Sequence, residues 1–115
     1  MAFKSPDLEQ IEAILTAYLH EVRPPIHVRP RLDYAYTISG NSVLLQEVRP
    51  QYDDATRIMV RPFARATYVK ARDVWRVYWL RADLKWHSYL PSPIVSTLPG
   101  FLKLVQQDAH GCFYG

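Results

Sequence analysis

Trp75 to Tyr89, WRVYWLRADLKWHSY, is the stretch on which the reading of this chain turns; it holds all three tryptophans. Trp75, Val77 and Trp79 alternate with Arg76, Tyr78 and Leu80, the two-residue period of a strand with two different faces. The pattern breaks at Ala82-Asp83-Leu84 and resumes with Trp86, Ser88 and Leu90 alternating with His87 and Tyr89. This predicts a β-hairpin. With Asp83-Leu84 as a two-residue turn, Arg81 lies opposite Trp86, Tyr78 opposite Tyr89 and Leu80 opposite His87. Asp-Leu suits such a turn poorly, because leucine resists positive φ, and a loop longer by one residue would shift the register.

Working back from the hairpin, Ile58 to Val69 reads as the preceding strand. Pro62 inside it has no N–H for a ladder, so a bulge, an edge or a break is expected there. A loop over Lys70–Asp73 sets Tyr68 opposite Trp75, Ala66 opposite Val77 and Ala64 opposite Trp79. Small residues thereby face large ones, which is how a packed layer fills. On the reverse face the same register brings Arg65 to Tyr78 and Thr67 to Arg76. Further upstream, Leu32, Tyr34, Tyr36 and Ile38 alternate with polar or small residues up to Gly40-Asn41, a hairpin turn. Across it Ile38 meets Val43 and Tyr36 meets Leu45, and the second strand ends near Arg49-Pro50.

The ends of the chain read as helices. Ser5-Pro6-Asp7 has the residues of a helix start, and Leu8, Ile11, Leu15, Tyr18, Leu19 and Val22 recur at helical spacing until Pro24-Pro25. Pro91-Ser92-Pro93 is expected to end the sheet. A second helix starts near Thr97, with Leu98, Phe101, Leu102 and Val105 on its apolar side, and Cys112-Phe113-Tyr114 tucks back as an anchor. The order is α-β-β-β-β-β-α. Short connections favour an α+β fold: a single domain over residues 1–115, with an antiparallel meander of four to five strands and both helices on one face.

With 115 residues the chain supports one core. No apolar run reaches about 18 residues, and the N-terminus lacks the apolar segment of a signal peptide. The single cysteine, Cys112, excludes an internal disulfide framework. A cytoplasmic location is the expectation. The net charge of +3 is unevenly spread. Between Arg57 and His87, Arg57, Arg61, Arg65, Lys70, Arg72, Arg76, Arg81 and Lys85 stand against Asp73 and Asp83 alone. Before Val22 the balance is acidic.

Several of these features resemble a bacterial family of small proteins grouped only as a domain of unknown function. They are the N-terminal helix, Arg49-Pro50 closing the second strand, Trp75, Tyr78 and Trp79 in a Trp-x-x-Tyr-Trp strand, the Trp86-His87 pair and the aromatic-Gly end Tyr114-Gly115. The resemblance spans nearly the whole chain. It departs at Asp83-Leu84, where something closer to Asn-Gly is expected, and at Tyr114, where Trp is usual. It implies bacterial origin and one domain, and lends no activity.

No motif names a reaction. The leading site is the reverse face of the sheet, read as Arg65, Thr67, Arg76, Tyr78, His87 and Tyr89. Guanidinium groups hold phosphates and exposed rings stack on bases, so the face is suited to RNA or DNA. The plainer reading is a cross-strand tyrosine pair with arginines lying over the rings. Asp108, His110 and Cys112 form a second group, but the paired ligands of a metal site and the local signature of a cysteine enzyme are missing. His20, His27 and His87 converge only if the fold brings them together. Glu47 lies on the face of Val43 and Leu45 and needs a partner there, Arg49 or a tyrosine hydroxyl. The expectation is a non-catalytic module without metal or cofactor, binding nucleic acid through Arg65, Arg76, Tyr78, His87 and Tyr89. A protein-interaction or structural role, as a homodimer, is the alternative, and an enzyme of unrecognised type comes third.

Overall fold

In the computed structural model, which describes residues 5–108 and 111–113 with the side chains of 5–7 left aside, alternation and helical spacing have become eight elements. They are α1 (Ser5–Val22), β1 (Asp33–Ser39), β2 (Ser42–Pro50), β3 (Ile58–Val69), β4 (Val74–Leu80), β5 (Trp86–Ser88), β6 (Ile94–Val95) and α2 (Leu98–Gln107). The strands form one antiparallel sheet in the order β1-β2-β3-β4-β5, with β6 also on β4. The fold is the expected α+β meander with a helix at each end.

The β1–β2 and β3–β4 hairpins take the expected registers. Gly40 adopts φ +58° in the β1–β2 turn, a conformation that glycine takes without a Cβ clash. Ile38 meets Val43 and Tyr36 meets Leu45. Asn41 ties this turn to β3, its carbonyl accepting from Tyr68 N at 2.8 Å and its Nδ2 donating to Tyr68 O at 2.9 Å. Between β3 and β4, Ala64, Ala66 and Tyr68 lie opposite Trp79, Val77 and Trp75. The proline in β3 produces a bulge: Leu45 pairs with Ala64 but Gln46 with Pro62, leaving Phe63 as the extra residue.

The β4–β5 hairpin differs from the two-residue turn. Leu84 N donates to Arg81 O at 2.9 Å, and Arg81 N to Lys85 O at 3.2 Å, with Leu84 at φ +62°. This is a three-residue loop, Ala82-Asp83-Leu84, with its last residue left-handed. The added residue moves the register by one. Tyr78 faces Ser88, Trp79 faces His87 and Leu80 faces Trp86. Because strand side chains alternate, β5 exchanges its faces.

A second correction concerns the end of the sheet. Pro91-Ser92-Pro93 interrupts it without ending it. Tyr89 N donates to Val77 O and Val77 N to Pro93 O, both at 2.9 Å, so β6 resumes on the edge of β4 after an excursion over Leu90–Ser92.

The core lies on one side of the sheet. Val43, Leu45, Ala64, Ala66, Trp75, Val77 and Tyr89 are buried there against Ile11 and Leu15 of α1 and Leu98, Phe101, Leu102 and Val105 of α2. Trp79 is half-buried at the rim, with the Arg81 guanidinium 5.4 Å from its ring centroid. Thr97 caps α2 by accepting from Gly100 N at 3.1 Å. The left-handed Asp108 ends it, its N–H donating to Leu104 O. Arg23, just past α1, holds Asp33 at the start of β1 through Nε–Oδ1 at 2.8 Å. Among the described residues no helix is long and apolar enough to cross a membrane.

Candidate functional site

The face of the sheet turned away from both helices is built in rows, since residues directly opposite across strands share a face. One row runs Ser39, Ser42, Thr67, Arg76 and Ile94; the next runs Thr37, Leu44, Arg65, Tyr78 and Ser88. Leu80 and Trp86 form a cross-strand pair beside them. Arg65, Arg76 and Tyr78 are therefore together on this face. Tyr89 and His87 are not. Tyr89 is 1% exposed, packed in the core with its ring 4.8 Å from that of Phe113. His87 lies on the helix side opposite Trp79, its Nε2 2.8 Å from Asp83 Oδ2. The one-residue register shift exchanges them for Ser88 and Trp86. Trp86 is the member of the face that alternation alone missed. The signal for it was the unsuitability of Asp-Leu as a two-residue turn.

Arg65 is organised by its neighbours. Its Nε donates to Ser42 Oγ at 3.2 Å, Ser42 Oγ shares a hydrogen bond with Thr67 Oγ1 at 2.8 Å, and its guanidinium carbon stands 5.6 Å from the Tyr78 ring centroid. This resembles the plainer reading in part: an arginine does lie over a ring, but the tyrosine pair is absent. Arg76 is exposed and takes part in no ion pair among the described residues. From β2 to β6 the face carries no carboxylate, and Asp33 at the far end of β1 is engaged by Arg23. Two cations, two rings and several hydroxyls thus share a surface with little to neutralise them.

The other groups resolve differently. Glu47 pairs with Arg49, Nη2 to Oε2 at 3.2 Å. Burial, then the charge of Glu47, raises the Tyr34 phenol above its ordinary range. His110 lies outside the described residues. Cys112 is half-buried, and burial, then Asp108, pushes its thiol up, the wrong direction for a nucleophile. Asp108 Oδ1 instead accepts from Phe113 N at 3.1 Å. Among the described residues no three His, Cys, Asp or Glu side chains converge as metal ligands, so His20, His27 and His87 do not form a metal site. The cavity touching Glu47, Leu80 and Cys112 is about 160 Å³, smaller than pockets that enclose a small molecule. A larger open groove, about 750 Å³, runs between α1 and α2 past Ile14, Tyr18, Leu102 and Gln106.

A family model described as a domain of unknown function, DUF3024, matches residues 3–115. The chain belongs to this family. The DUF3024 match spans the whole sheet and both helices, so the open face is part of the family domain rather than an appendage. No curated protein and no solved structure gives a significant match.

Proposed function

We propose that the open sheet face binds nucleic acid, with a single strand of RNA or DNA as the ligand. The observation that supports this most is that Arg65, which lies over the Tyr78 ring, shares with Arg76, Tyr78 and Trp86 a face without carboxylates from β2 to β6. The arginines supply phosphate contacts, which give affinity without base identity. The rings offer the flat apolar surfaces on which unpaired bases stack. Tyr78 and Trp86 are diagonal neighbours on adjacent strands, about 7 Å apart at the backbone, close enough for one strand to use both. The role assigned to His87 and Tyr89 in the sequence reading passes to Trp86.

The test is binding of labelled single-stranded RNA and DNA across a salt titration. The parent protein is expected to lose affinity as salt rises. R65A/R76A should weaken binding to every sequence and flatten that dependence by about one ion for each phosphate contact removed. Y78A and W86A should each cost about 1–3 kcal/mol of binding. Absence of binding at low salt, or unaltered binding by folded R65A/R76A, would sink the reading.

A further inference from the structure

The β2–β3 hairpin overhangs the sheet. β4 reaches only as far as Ala64 on β3, so no strand lies on the outer side of Ile58–Pro62 among the described residues. The direction of its backbone groups follows from the hydrogen bonds at the ends. Gln51 N donates to Arg57 O at 2.9 Å, which turns Arg57 toward β2; Tyr68 N donates to Asn41 O, which turns Tyr68 the same way. Counting by twos from Arg57, Met59 and Arg61 also bond toward β2. Counting back from Tyr68, so do Ala66 and Ala64. The change from odd to even is the one expected from the inserted Phe63. Ile58, Val60 and Pro62 therefore point their backbone groups at the unpaired edge. The missing N–H of Pro62 falls there, where it removes no bond from the native ladder.

This edge is apolar as well as unpaired. Ile58, Met59 and Val60 are 58%, 41% and 55% exposed. Ile58, Val60 and Pro62 sit opposite Pro50, Val48 and Gln46, which places their side chains on the open face of the sheet. Exposed apolar strand edges are templates for another strand unless something blunts them. Pro62 blunts this one at a single position.

We propose that this edge is a self-association site, at which two copies pair their β3 overhangs antiparallel about a two-fold axis through Val60. The donor and acceptor pattern is self-complementary in that register. Val60 N–H and C=O meet their counterparts in the second copy. Ile58 N–H meets the second copy's Pro62 carbonyl. The donor that Pro62 lacks would have served only the Ile58 carbonyl at the end of the ladder, where water reaches it. Side chains agree: Val60 opposes Val60 and Ile58 opposes Pro62 on one face. On the other, Met59 opposes Arg61, which keeps Glu47 as its neighbour within its own chain. No like charges stand directly opposite. The axis is perpendicular to the sheet, so both open faces lie on the same side of one continuous sheet. The pairing stands whether or not that face binds nucleic acid.

The experiment is sedimentation velocity on the full chain from low micromolar to millimolar concentration, with circular dichroism as the check on folding. The parent is expected to dimerise reversibly. V60K sets two ammonium groups against each other on the axis and should raise the dissociation constant about tenfold or more. A cysteine pair provides a second arm. Directly opposed, hydrogen-bonded residues have Cα atoms about 5.5 Å apart, within reach of a disulfide. Under oxidation V60C/C112S should cross-link between chains much faster than M59C/C112S. A parent that stays monomeric throughout, a folded V60K that dimerises like the parent, or V60C that links no faster than M59C would each overturn the proposal.

Discussion

Replacing Leu84 by glycine should stabilise this protein, although it deletes a large apolar side chain. Leu84 holds φ +62° to close the loop between β4 and β5, and its side chain is 75% exposed. A left-handed backbone brings Cβ close to the following carbonyl oxygen, at a cost of roughly 1–2 kcal/mol for a residue other than glycine. Glycine removes that clash but enlarges the unfolded ensemble, which takes back about 0.4–1 kcal/mol. The side chain buries little, so its loss adds little. The net gain for L84G is about 0.5–1 kcal/mol, or an upward Tm shift of roughly 2–6 °C. Urea unfolding should show a higher midpoint at an unchanged slope, because the folded state exposes the same surface. An L84G protein equal to or less stable than the parent would refute the reasoning. It would mean that Leu84 packs more than its exposure indicates, or that the loop relieves its strain elsewhere.

Three further outcomes are expected. W75A should lose about 3–5 kcal/mol of stability by denaturant unfolding, since Trp75 is 6% exposed within the core, whereas W86A, at a half-buried ring outside that core, should lose clearly less; equal losses for both would contradict the assignment of their faces. The hydrogen bond from Arg23 depresses the Asp33 carboxyl, so its contribution is complete above the unfolded value near about 3.9 and is lost as pH falls through the lower folded value. Unfolding measured from neutral to strongly acidic pH should therefore show a shallower acid loss for D33N than for the parent, and identical slopes would count against the pair. Burial and Asp108 raise the Cys112 thiol, so alkylation at neutral pH should be slower than for a free cysteine and should speed up on unfolding; fast labelling of the native protein would show an activated thiol instead.

Local patterning determined most of the fold because its signals are short-ranged. The alternation from Trp75 to Leu80, the Gly40-Asn41 turn and the small residues Ala64 and Ala66 opposite tryptophan and valine each depend on neighbours along one or two strands. The helix limits at Pro24-Pro25 and Thr97 follow from backbone chemistry as local. Arg65, Arg76 and Tyr78 could be assigned to one face on the same grounds. The β4–β5 hairpin could not be settled this way. Its register depends on whether the loop has two residues or three, and a strand's pattern is equally regular in either case. Packing decides it: with the three-residue loop Tyr89 enters the core against Phe113, distant in sequence, and Trp86 turns outward in its place. The energy of burying that ring offsets a strained Leu84. Likewise, β6 is a strand only because β4 offers an edge to the chain returning after Pro93. The sequence on its own determined which residues could form a basic-aromatic surface. The tertiary structure decided which of them do, because burial of a side chain depends on what the rest of the chain brings against it.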